Sequence, residues 1–155
     1  MSSSKKLPIA TFLGHLCAAL LAVQVVVILW GVLTRTFGNQ AGWTEELARY
    51  LLIWISLLGA AYAVANRSHI AISLLPDSLE GARRRSLNRI IDVLILIFVV
   101  AVLIIGGSYY VWLTFSLGQR APSLDIPVGV VYLAVPLAGL FIAYFQLKDI
   151  IHGRA

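Results

Sequence analysis

The sequence predicts an all-α integral membrane protein with four transmembrane helices, and three observations carry that prediction. Of its 155 residues 60% are hydrophobic and only 12% charged, more apolar side chain than a soluble domain of this size can bury. The apolar residues are gathered into runs long enough to cross a bilayer. The charges fall in the gaps between those runs, which decides for lipid as the solvent over an unusually apolar globule.

A helix rises about 1.5 Å per residue, so about 20 residues cross a hydrocarbon core of roughly 30 Å. Four segments of one membrane domain qualify: 9–33, 47–65, 90–117 and 128–147. The first follows Lys5 and Lys6 and so resembles a secretory signal, but its apolar run is too long for a typical signal core and no small-x-small cleavage site follows it. Leu16 before Cys17 also argues against lipoprotein processing, so a retained span is expected. The third segment is longer than a bilayer requires and should tilt, bend at Gly106 and Gly107, or project. The fourth should kink at Pro136. Its small-xxx-small pairs, Ala134 with Ala138 and Gly139 with Ala143, permit close helix approach, either inside the domain or to another membrane subunit.

Orientation follows from the cations. Lys5, Lys6, Arg67, Arg83, Arg84, Arg85, Arg89, Lys148 and Arg154 fall on one side and only Arg35, Arg49 and Arg120 on the other. The positive-inside rule places both termini in the cytoplasm. Asp77, Glu80, Asp92 and Asp149 leave the inner side at net +5, while Glu45, Glu46 and Asp125 neutralise the outer side. Trp30, Trp43, Tyr109, Tyr110 and Trp112 mark the outer boundary, and Trp54, deeper in its span, reads as a packing residue.

The long connection between the second and third spans has its own pattern. Pro76 suits a first helical position, Asp77 and Glu80 follow in the first turn, and Leu75, Leu79, Ala82 and Leu87 recur at near-helical spacing beside Arg83, Arg84 and Arg85. This predicts a short amphipathic helix lying on the inner leaflet, its arginines against phospholipid headgroups.

Several function classes find no support. The net charge of +5 sits where topology signals sit, which argues against nucleic acid as a partner. A lone Cys17 within an apolar run gives neither a disulfide nor a metal cluster, and no cofactor is expected. No nucleophile with a base and no phosphate loop is present in the pattern; "IIGGSYY" lacks the spacing of a dinucleotide fingerprint.

Polar groups within spans are functional candidates because they are costly in hydrocarbon. They are His15, Gln24, Asp92 and Gln146. Asp92 follows Arg89 by three residues and Asn88 by four, so an interfacial pair on one helix face is the expectation, with a proton or sodium ligand as the alternative. His15, His69 and His152 leave open a haem-binding anchor of a respiratory enzyme, although two of them lie at or beyond a boundary. A small multidrug exporter would need a deeper carboxylate than Asp92.

The most specific stretch is "GWTEELARYLLIWISLLGAAYAVANRSHIAI", from Gly42 to Ile72. Glu45 and Glu46 precede Arg49 by four and three residues, so both carboxylates can reach one guanidinium, and both suit the first turn of a helix. Arg67 lies eighteen residues beyond Arg49, about 27 Å of helix, at the opposite boundary.

"WTEELARYLLIWISLLGAAYAVANRSHIAISLLPDSL" resembles the signature region of the small membrane subunit of TRAP transporters, the tripartite ATP-independent periplasmic family. "SLDIPVGVVYLAVPLAGL" is similar to that family's last span. The resemblance implies a non-enzymatic scaffold subunit in a bacterial inner membrane. It would partner a large membrane subunit that holds the substrate and sodium sites, with an organic acid delivered by a periplasmic binding protein. It also implies Trp43, Glu45, Glu46 and Arg49 at the outer end, and Arg67 and His69 at the inner end, as contacts to a subunit or to lipid.

Overall fold

A computed structural model describes residues 8–38, 41–66 and 82–151. These form helices α1 (Pro8–Thr36), α2 (Gly42–Ala65), α3 (Ala82–Phe98), a π-helical segment (Val99–Gly106), α4 (Gly107–Ser116), α5 (Val128–Tyr132) and α6 (Ala134–Ile151). Four stretches are long and apolar enough to cross a membrane: Ile9–Thr36, Gly42–Ala65, Ile90–Ser116 and Val128–Lys148. The chain is a multi-pass, all-α membrane protein, as its hydropathy pattern predicts.

The third span runs through α3, the π-helical segment and α4 without a break. Its middle is unwound to π geometry, ending at Gly106 with Gly107 beginning α4. One such turn is unusual and eight residues are more so. The glycine pair is thus where the hydrogen-bond pattern returns to α, with φ near −62° at both residues.

The fourth span is interrupted at Leu133, between α5 and α6. Pro136 is the cause: it has no N–H for the carbonyl of Tyr132, and its ring crowds that same carbonyl. Leu133 N–H still donates to Gly129 O (3.2 Å or less on either side of the break), and Leu137 N–H to Leu133 O. The disturbance is therefore confined to one residue.

The spans pack as first with second, second with fourth, and fourth with third. They form a row, and no helix other than α2 brings its backbone close to α1 among the described residues. Within the apolar 18-residue stretch of each, 6% of the first span is buried against 39% of the fourth, so the fourth is the central element. A core cluster of Leu13, Leu58, Ala61, Val64, Val99, Ile142 and Phe145 joins all four spans, with Trp54 packed at its edge.

Small residues set the distances between neighbours. A Cβ on Gly139 would come within 2.8 Å of Leu103 Cβ, and one on Gly107 within 2.8 Å of Val135 Cγ1. Ala134 and Ala138 are fully buried. The small-residue pairs of the fourth span therefore serve packing within the chain. On the other flank, Gly14 receives the Tyr62 ring and Gly31 the Thr44 hydroxyl, which fixes α1 antiparallel to α2 at two points.

The in-plane helix expected after the second span falls mostly on residues outside those described. Its later part, from Ala82 onward and including the backbone of Arg83, Arg84 and Arg85, is continuous with α3.

Candidate functional site

The end of the molecule where α2 begins is organised around Glu46. Ala41 takes an extended conformation ahead of the helix and provides no side-chain cap, so α2 starts at Gly42, five residues before the apolar run. Thr44 is buried there with its hydroxyl donated to Ala41 O at 2.7 Å. This extra turn carries Glu46 beyond the apolar span to the level of the connection between the third and fourth spans.

Glu46 Oε2 accepts the backbone N–H of Ser123 at 2.8 Å and of Leu124 at 3.2 Å. Its Oε1 accepts the Tyr50 hydroxyl at 2.9 Å. The carboxylate thus ties the start of α2 to a connection 77 residues further on. Hydrogen bonds to an ionised acceptor are the stronger kind.

That connection is itself folded. Ala121 N–H donates to Ile126 O at 2.9 Å, Asp125 N–H to Ala121 O at 2.9 Å, and Val128 N–H to Gln119 O at 3.0 Å. Asp125 sits at φ 52°, a left-handed conformation that Asp tolerates better than most residues. Arg120 Nη1 reaches Asp125 O and Oδ1, each at 3.1 Å. Both side chains are well exposed, so this ion pair adds little by itself.

The carboxylates do not share Arg49. Among the described residues, no ion pair joins Arg49 to Glu45 or Glu46, and Arg49 is exposed. The reason is competition. Two preorganised backbone N–H groups and a phenol one turn away take up both Glu46 oxygens without ordering a long guanidinium side chain. Trp43 and Glu45 are exposed beside it. Tyr50 is the partner that spacing alone offered, four residues after Glu46; Ser123 and Leu124 carry no sequence signal of their role.

At the opposite end, two intramembrane polar residues meet. Asp92 on α3 is 4% exposed and Gln146 on α6 is 5% exposed. Gln146 Nε2 donates to Asp92 Oδ1 at 2.8 Å. Asp92 therefore has a partner across the helix interface in addition to anything on its own helix. No buried side-chain polar atom lacks a hydrogen-bond partner among the described residues, and no cluster of three potential metal ligands occurs among them.

The remaining sequence-derived candidates are placed as follows. Arg67 and His69 lie outside the described residues, as does His152. Arg83, Arg84 and Arg85 occupy the first turn of α3. His15 is exposed on α1 and bonded through Nδ1 to Thr11 O at 2.8 Å, which does not favour a buried haem ligand. Aromatic residues Trp30, Trp43, Tyr109, Tyr110 and Trp112 are all exposed and cluster at the Glu46 end, where α1 ends, α2 begins and α4 runs.

Comparison with known proteins gives this architecture its family. Residues 24–155 match the family described as tripartite ATP-independent periplasmic transporters, DctQ component. A protein named as a TRAP transporter small permease in Haemophilus influenzae is 32% identical over 139 residues, covering 88% of this chain and 83% of its own length. The sialic acid TRAP transporter small permease SiaQ of Vibrio cholerae is 28% identical over 138 residues, covering 84% and 75%. The isethionate TRAP transporter permease DctMQ of Oleidesulfovibrio alaskensis is 29% identical over 120 residues, covering 77% of this chain but 19% of the longer protein. The chain belongs to the DctQ family: it is a small permease subunit of a TRAP transporter, and not an enzyme.

Proposed function

We propose that this subunit is a membrane scaffold which holds a large permease subunit in place during sodium-driven uptake of an organic acid delivered by a periplasmic binding protein. The observation that carries the scaffold role is how the polar groups are used. Asp92 and Gln146 satisfy each other across two spans, and Glu46 ties a helix end to a connection. Thr114, also buried, is donated to Tyr110 O of its own helix. The Asp92–Gln146 and Glu46 bonds join separate elements to one another and stiffen the subunit, and Thr114 is satisfied within its helix.

The large partner is supported by the DctMQ relative, in which a segment like this chain makes up 19% of one longer polypeptide. Sodium is assigned to that partner, and this subunit needs no cofactor of its own. The cation asymmetry supports insertion in a bacterial inner membrane with both termini cytoplasmic. In that orientation the Glu46 end faces the periplasm, where Trp43, Glu45 and Arg49 are available to partner proteins. Arg67, His69, Arg83, Arg84 and Arg85 then face the cytoplasmic leaflet and its phospholipids.

The test is co-purification and transport. A tagged copy expressed with the large permease and binding protein of the same transporter should pull down the large subunit, and uptake into proteoliposomes should require both membrane subunits and a sodium gradient. Solute uptake by this chain alone, or full uptake by the large subunit without it, would refute the scaffold reading.

A further inference from the structure

A groove of about 360 Å³ opens between α1 and α2 at the end where α1 begins and α2 finishes. Its α1 wall is made of small residues, Ala10, Gly14 and Cys17, and its polar edge of His15, Tyr62 and Asn66. We propose that this groove is a phospholipid site in which His15, Tyr62 and Asn66 hold the phosphate of a glycerophospholipid headgroup.

Position is the first argument. The apolar spans here start at Ile9 and stop at Ala65, so Asn66, the next residue, stands at the boundary where headgroups meet hydrocarbon. The volume falls within the range of about 300–1,000 Å³ typical of small-molecule sites.

The available hydrogen-bonding groups are the second. His15 Nδ1 lies 2.8 Å from Thr11 O; a carbonyl only accepts, so Nδ1 carries a proton, and Nε2 donates to a phosphate oxygen in the imidazolium form. Asn66 Nδ2 spends one hydrogen on Tyr62 O at 3.1 Å and keeps a second. The Tyr62 hydroxyl makes no hydrogen bond among the described residues. Its ring is seated over Gly14, where a Cβ would come within 2.9 Å of it, so the phenol is held at the groove.

Charge is the third, and it separates this groove from its counterpart. The groove at the other end of the same helix pair is lined by Arg35 and Glu45, one charge of each sign. The described residues that line the His15 groove include no carboxylate. An anion there meets no opposing carboxylate among the described residues, whereas Glu45 opposes one at the counterpart. A phospholipid supplies that anion at this depth together with acyl chains to cover the exposed flank of α1, which includes Phe12 and Leu21.

The proposal concerns this chain by itself, so it is tested on the full-length chain. Purified protein in a non-ionic detergent is titrated with dioleoyl phosphatidylglycerol, dioleoyl phosphatidylethanolamine or dioleoylglycerol and read by native mass spectrometry. Both phospholipids should be retained and the diacylglycerol, which lacks the phosphate, should not. Tyr62→Phe keeps the ring on Gly14 and removes only the hydroxyl; combined with His15→Leu it should weaken retention by about tenfold. Arg35→Gln at the opposite groove should retain phospholipid like the unaltered chain. Equal retention of the diacylglycerol, unchanged retention by the double variant, or displacement of the lipid by millimolar inorganic phosphate would overturn the proposal.

Discussion

Gly139→Ala is the substitution that most directly tests the packing of the third span on the fourth. The new Cβ would stand 2.8 Å from Leu103 Cβ, 3.1 Å from Ile104 Cγ1 and 3.4 Å from the Leu103 carbonyl carbon. Carbon atoms pack best at about 3.5–4.0 Å, so the π-helical segment must retreat by roughly an ångström. Neither a Cβ nor a carbonyl carbon can rotate away, so the displacement falls on backbone. Overpacking of that kind costs about 1–3 kcal/mol. Alanine also recovers about 1 kcal/mol of helix propensity over glycine, which would blur the result taken alone.

Gly59→Ala removes the ambiguity. Gly59 lies within α2 and a Cβ there meets nothing within 4 Å, so that variant gains the propensity without the clash. The propensity gain is common to the pair, and Gly139→Ala should be less stable than Gly59→Ala by about 1–3 kcal/mol. Reversible unfolding in mixed micelles, with increasing mole fraction of denaturing detergent, measures the difference. Equal stability of the two, within about 0.5 kcal/mol, would mean that the third and fourth spans do not touch at Gly139.

Gln146→Leu removes the amide that donates to Asp92 Oδ1 and should destabilise the chain by about 1–3 kcal/mol in the same unfolding experiment; stability equal to the unaltered chain would refute the cross-span pair. Glu46→Ala should speed hydrogen exchange at the Ser123 and Leu124 amides, which lose their acceptor, and leave exchange within the fourth span unchanged. Arg49→Ala, at an exposed position outside any ion pair among the described residues, should leave thermal stability of the isolated subunit unchanged and lower the yield of its complex with the large subunit. A loss of substrate affinity with normal complex yield would contradict that assignment.

What the sequence made legible followed from how each feature is encoded. The four spans are written as composition over about 20 residues, and no packing detail is needed to find them. Pro136 and the small residues of the fourth span announced a disturbance and a close approach, because each acts through its own covalent shape. Which neighbour fills the space beside Gly139 was not legible, since it depends on the order of the spans in the row. Asp92 and Gln146 were each visible as polar residues in lipid, yet local spacing pointed Asp92 to Arg89 and Asn88 and not across to α6. Glu46 illustrates the same limit. Its spacing to Arg49 is a local pattern, while the N–H groups it binds come from a turn whose fold rests on Asp125 at positive φ and on bonds between backbone atoms. The π-helical segment has no marker in its run of valine, alanine, leucine and isoleucine; only the glycine pair at its end stood out.

The two polar ties stand at opposite ends of one unit. At one end Glu46 fastens α2 to the connection before the fourth span; at the other, Asp92 and Gln146 fasten the third span to the fourth. The buried residues of α2, the π-helical segment and α6 meet in a common core that lies from the middle of the third span toward the Asp92 end, so the third and fourth spans are held there and at Asp92, and the second span there and at Glu46. The first span takes no part in either tie. It is held by the seating of Tyr62 on Gly14 and of Thr44 at Gly31, together with Leu13 in the core, and it presents most of its apolar surface outward. The second, third and fourth spans are thus bound by polar ties as well as by packing. Helix α1, packed closely along α2, leaves apolar area for lipid or a neighbouring subunit to cover, an arrangement in keeping with the proposed scaffold role.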